Sequence, residues 1–165
     1  MDTAFYIEKF QKAADRLNKQ LFSENEIELA VGVVLDSVFL KLYKKSWVSP
    51  LQDPLTAESR IFFSIWINDT AIEEQKILYN IHALKLRHLK GYSLESRKFA
   101  DAFRSDFKVF EPQWPNVSVK FGPLTLMEGW VKVDLIDFQD EILALANNFL
   151  AIAHLVDDTL VEFKK

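Results

Sequence analysis

The spacing of hydrophobic positions along this chain changes several times, and each change marks a new element. Between residues 3 and 22, Ile7, Phe10, Ala14, Leu17 and Leu21 recur three and four apart, which lays them along one helical stripe. Lys9, Lys12, Arg16 and Lys19 fall on the other side, and Asp2 or Thr3 is placed to cap the first turn. From Glu26 the period drops to two. Ile27, Leu29, Val31 and Val33 alternate with Glu28, Ala30 and Gly32; Val38, Leu40 and Leu42 then alternate with Phe39, Lys41 and Tyr43. With Asp36-Ser37 as the turn, residues 26–47 are predicted to form a hairpin, one long bent strand being the alternative. Pro50 and Pro54 make 49–59 a loop. Residues 60–68, RIFFSIWIN, give the clearest strand. Ile61, Phe63, Ile65 and Ile67 share one face while Phe62, Ser64 and Trp66 share the other, and two largely apolar faces predict a central position.

Residues 70–90 admit two readings. Thr70 and Glu73 fit a capping box, Arg87, His88 and Lys90 suit a helix C-terminus, and Gly91 suits the terminator after it. The apolar residues between them form no single stripe, however, so a strand over 77–86 is the alternative to the preferred helix. Residues 93–107 are predicted helical from Phe99, Phe103 and Phe107 at four-residue spacing. Pro112 and Pro115 mark a loop, and short strands are predicted at 117–121 and 129–135. A long helix over 138–163, with Asp137 as its cap, closes the chain. The order α-β-β-β-α-α-β-β-α predicts a single α+β domain over residues 1–165. Its expected form is two-layered, a mainly antiparallel five-stranded sheet with helices on one face. That order resembles the one in secretion chaperones that hold effector proteins as dimers, a likeness of element order that no motif accompanies.

Composition narrows the chemistry. None of the 165 residues is cysteine, which excludes disulfides, thiolate catalysis, cysteine zinc sites and iron–sulfur clusters. The start of the chain has no basic-then-apolar pattern. The apolar run at 143–156 is interrupted by Asn147, Asn148 and His154 and falls short of the roughly 20 residues a membrane span requires. A soluble, cytoplasmic protein with no membrane partner is expected. Four glycines form neither GxGxxG nor GxxxxGK[ST], so no cofactor is expected. The three histidines lack metal-ligand spacing, and His154 with Asp158 reads as a solvated helix face, so no metal is expected either. The neighbouring carboxylate pairs, such as Asp140 and Glu141, point about 100° apart on a helix and share no reacting centre. No catalytic residue is assigned, and the reading leans against an enzyme. Tyr79, Asn80, His82 and Arg87 are the group that a pocket would have to gather to reverse that.

Charge supplies the remaining candidate. Residues 76–108 carry eight Lys and Arg against Glu95, Asp101 and Asp106, a balance of +5 in a chain of net charge −4. Arg87, His88, Lys90, Arg97 and Arg104, grouped around Gly91-Tyr92, are the candidate ligand-binding residues. They would hold a phosphate or another anionic ligand, or more remotely nucleic acid; otherwise they form a solvated face paired with nearby acids. The leading expectation is a non-enzymatic binding or protein-interaction domain whose partner is a second copy of itself or another protein. It rests on the aromatic share of 13% and on Phe39, Tyr43, Phe62, Trp66 and Trp130, which lie opposite the expected core faces.

Overall fold

Two side-chain caps shape the beginning of the chain. In the computed structural model, which describes residues 1–165, the Asp2 carboxylate accepts from the Phe5 amide and starts helix α1, Thr3–Arg16. Asn18 accepts from the Leu21 amide and starts a separate short helix α2, Lys19–Glu24. The single helix expected over 3–22 is thus broken at Leu17, whose ψ of 148° is extended. Asn favours such local backbone bonds over a mid-helix position. The break also turns the buried face, so that Phe22 packs inward and Leu21 is exposed.

The predicted hairpin forms from β1, Glu28–Val34, and β2, Ser37–Tyr43, with Val34 opposite Ser37 and only Leu35-Asp36 between them. Strand β3, Arg60–Ile67, pairs antiparallel with β2 on one side. The next segment corrects the preferred sequence reading. A helix does start here, but Asn68 caps it rather than the expected Thr70–Glu73 box, and this α3 spans only Asp69–Glu73. Gln75 at φ 56° then turns the chain, and Lys76–Leu84 is strand β4, paired antiparallel with β3. Ile77, Tyr79, Ile81 and Ala83 point into the core, a period of two that a helical wheel scatters.

Helix α4, Ser96–Phe107, buries Phe99, Ala100, Phe103 and Phe107 as its spacing predicts. The strand expected at 117–121 is reduced to a single bridge between Ser118 and Glu128. The fifth strand, β5, is Thr125–Lys132 and pairs antiparallel with β4. The expected last helix is two, α5 at Phe138–Leu150 and α6 at Ala153–Glu162, separated by Ala151-Ile152. The sheet order is β1-β2-β3-β4-β5, antiparallel throughout, with β3 at the centre. The two-layer α+β class holds, with β4 taking the place given to 117–121. The element order that suggested secretion chaperones therefore does not hold.

The helical layer packs on one face through large aromatic contacts. Phe63 of β3 stacks on Phe149 of α5 at 4.5 Å between centroids, and Trp47 meets the same ring edge-on at 6.0 Å. Asp157 of α6 ties this layer to the end of β2, accepting from Lys44 at 2.6 Å and from the Trp47 indole at 2.8 Å. No helix is long and apolar enough to cross a membrane.

Candidate binding site on the open face of the sheet

Because side chains alternate along a strand, each strand that sends aliphatic residues to the helices sends its other residues to the opposite face. That face receives Phe39, Lys41 and Tyr43 from β2, and Arg60, Phe62, Ser64 and Trp66 from β3. It also receives Leu78, Asn80, His82 and Leu84 from β4, and Glu128 and Trp130 from β5. Strand register orders them into rows. Lys41 lies opposite Ser64, Ser64 opposite Asn80, and Asn80 opposite Glu128. An ammonium, a hydroxyl, an amide and a carboxylate thus cross four strands in line. On one side of this polar row Phe39 lies opposite Trp66, and on the other Phe62 lies opposite His82.

Among these side chains is a recess of about 340 Å³, lined by both ends of the polar row, the aromatic rings and Arg60. The Lys41 ammonium sits between two rings, 4.5 Å from the Phe39 centroid and 4.4 Å from that of Phe62. The Arg60 guanidinium lies 5.4 Å from the same Phe62 ring, and His82 approaches that ring at 5.4 Å. Phe39 is itself seated on Gly32 of β1, where a Cβ would fall 2.8 Å from its ring. A β-bulge between Ile81 and His82 shifts the register beside Asn80, the kind of irregularity that re-aims side chains at sites.

Satisfaction of these groups is incomplete. Asn80 donates to Glu128 Oε1 at 3.2 Å, but its own Oδ1 is buried without a partner in the protein. Trp66 Nε1 and Arg60 Nε are likewise buried and unpartnered, although Arg60 donates through Nη1 to the Ala57 carbonyl. Neither Lys41 nor Arg60 has a carboxylate within 4.0 Å. Burial, and then the Arg60 charge, holds the Lys41 ammonium below the usual lysine range. Burial followed by the charges of Lys41 and Arg60 holds His82 below the usual histidine range. The recess therefore has a cationic end on β2 and β3 and a carboxylate on β5.

A second hollow of about 500 Å³ lies between the start of α1 and the β5–α5 connection, lined mainly by Tyr6, Ile67, Ile72, Leu135, Ile136 and Phe138. None of its lining residues carries an orphaned polar atom. Its lining also includes Gln75, Lys76 and Asp134.

The residues singled out by charge do not gather into one site. Arg104 is committed to the fold: its Nε donates to the Leu126 carbonyl at 3.0 Å. One Nη donates to the carbonyls of Phe121, Gly122 and Thr125 at 3.1, 3.0 and 2.8 Å. His88 and Lys90 border a small recess of about 140 Å³ with Glu58 and Ser49, and the Lys90 amide donates to Ser49 Oγ. Arg87 and Arg97 are exposed and line none of these hollows. Lys76, Lys85 and Lys98 in the same stretch pair with Glu74, Glu58 and Glu95. Tyr79, Asn80, His82 and Arg87 do not converge either: Tyr79 points into the core and donates to the Pro115 carbonyl, while Asn80 and His82 face the open side. Lys41 and Arg60 are not among the residues that charge singles out in the sequence. The signal for them is a Lys or Arg on the non-core face of a strand, beside aromatic neighbours of that same face.

No family model matches the chain, and no curated protein or solved structure is significantly similar to it.

Proposed function

We propose that the protein is a non-enzymatic binding domain that takes a small organic ligand into the open face of its sheet. The observation that carries this reading is that three of the six unpartnered buried side-chain atoms, Trp66 Nε1, Asn80 Oδ1 and Arg60 Nε, belong to residues lining one aromatic-walled recess. A buried polar group without a partner costs about 1–3 kcal/mol. Their concentration on the residues of one recess supports a site whose side chains gain partners when a ligand is bound. Ligand-detected NMR with a set of small aromatic compounds tests the reading. Binders are expected, and Phe62→Leu and Trp66→Leu are expected to weaken them while leaving the circular dichroism unchanged. A set in which no compound responds to either substitution would overturn it.

A second reading, association with another copy of the same chain, is favoured by a different observation. Strand β1 pairs with β2 on one side and with nothing on the other, and its end exposes Val33, Val34 and Leu35. We propose a cytoplasmic location, with which the absence of cysteine agrees.

A further inference from the structure

Resting on the reading of the open face as a ligand site, we infer that its ligand is a small organic anion carrying a single negative charge on an apolar or aromatic body, held at its charged end by Lys41.

The charges on this face are unbalanced where they are deepest. The Lys41 residue is only 9% exposed, yet its ammonium is faced by two phenyl rings rather than by a carboxylate. Ring faces attract a cation by about 0.5–2 kcal/mol, less than hydration of a free ammonium supplies. Arg60 adds a second cation to the same recess and lowers the cost of placing an anion there. An anion between these groups completes a charge-assisted pair with Lys41 and lies beside the Arg60 guanidinium, whose charge favours it.

The far end of the recess limits how much charge is welcome. Glu128 closes the polar row and is held by the Asn80 amide, so a second negative group reaching across would meet a carboxylate. The walls between the two ends are Phe39, Phe62 and Trp66, which fit a flat or aliphatic body. Polymeric polyanions do not match a recess of about 340 Å³ with one carboxylate in its lining.

Two fluorescent probes with nearly the same aromatic body separate the claims: anilinonaphthalenesulfonate, which is anionic, and phenylnaphthylamine, which is neutral. Calorimetric titration of the folded full chain is expected to give a preference for the sulfonate of roughly tenfold or more, the size of one charge-assisted contact. Lys41→Met keeps the apolar stem and is expected to bring the two affinities within about twofold of each other, while Lys41→Arg retains the preference. Equal binding of both probes by the unaltered protein, or a preference that survives Lys41→Met, overturns the anion assignment and leaves the ligand site standing. If Phe62→Leu and Gly32→Ala, which displaces the Phe39 ring, leave both probes unaffected, the site itself is wrong. Ile136→Asp in the separate apolar hollow is expected to change neither titration; loss of sulfonate binding there would place the probe elsewhere and overturn the assignment too.

Discussion

Single residues in this protein are most informative where their sequence neighbourhood suggests one role and their contacts another. Arg104 belongs to the basic stretch, but its donors reach four carbonyls at the turn into β5. A charged donor to a backbone acceptor contributes about 1.5–3 kcal/mol, and water recovers part of that at a half-exposed position. Arg104→Leu is therefore expected to cost about 2–3 kcal/mol in urea denaturation, and Arg104→Lys to restore less than half, because an ammonium cannot span the same fork of acceptors. A loss under about 0.5 kcal/mol would return Arg104 to the pool of free cations. His82 makes the complementary case, a charge the fold resists. Its pKa lies below 6.5 in the folded chain, first through burial and then through Lys41 and Arg60. The unfolded chain takes up the proton first as pH falls, so between the folded pKa and 6.5 it holds more protons, and stability rises with pH in that window. Stability is expected to fall on going from about pH 7 to about pH 5, and His82→Gln to flatten part of that slope. Identical slopes in the two proteins would show that His82 is not the group responsible.

At the scale of elements, a local period is legible where no competing signal interrupts it. The hairpin of β1 and β2, the central strand β3 and the phenylalanine stripe of α4 follow directly from their periods. Strand β4 is not legible in the same way, because helix-start and helix-end signals flank it. Leu78, Asn80, His82 and Leu84 line or flank the open side while Ile77, Tyr79, Ile81 and Ala83 fill the core, so alternation between apolar and polar residues is incomplete. The Thr70–Glu73 spacing favours the helical period, whereas the structure caps a short helix with Asn68 and ends it at Glu73. The open-face site was half legible: its aromatic residues stood out as surplus to the core, but the row from Lys41 to Glu128 depends on register across four strands, which no local spacing encodes. One turn remains at odds with its own sequence. Leu35 occupies the hairpin at φ 51° and is 93% exposed, a conformation that costs an L-residue roughly 1–2 kcal/mol. Glycine removes that cost and adds back about 0.5–1 kcal/mol of backbone entropy. Leu35→Gly should therefore stabilise the domain by about 0.5–1 kcal/mol, seen as a higher urea midpoint at unchanged m-value. A lower midpoint would mean that the Leu35 side chain makes contacts worth more than the strain.

For the whole molecule, the two edges of the sheet are treated differently, and that difference bears on assembly. The outer side of β5 is covered in part by the Ser118 bridge and by the turn that Arg104 holds. The outer side of β1 pairs with no other strand. Natural edge strands usually carry a lysine, a proline, a bulge or a covering loop, each of which blocks pairing with another chain. Residues 29–35, LAVGVVL, contain none of those side chains, and the β1–β2 register runs unbroken from Glu28 to Val34. A two-fold axis beside β1 would set it antiparallel to its own copy, a self-complementary arrangement that joins two five-stranded sheets into one. The open faces would then lie side by side, and the recess around Lys41, which is on β2, would not need to be covered. One strand pair with a few aliphatic side chains buries less than the roughly 1,200 Å² of a standard interface, so the affinity should be modest, with dissociation in the micromolar range. Light scattering across about 1–100 µM is expected to show mass rising from monomer toward dimer. Val33→Lys, which places a charge at a position already 45% exposed, should hold the protein monomeric over the whole range without lowering its stability by more than about 0.5 kcal/mol. An unaltered chain that stays monomeric at the highest concentration would rule the edge out as an interface, and a dimer indifferent to Val33→Lys would move it to another surface.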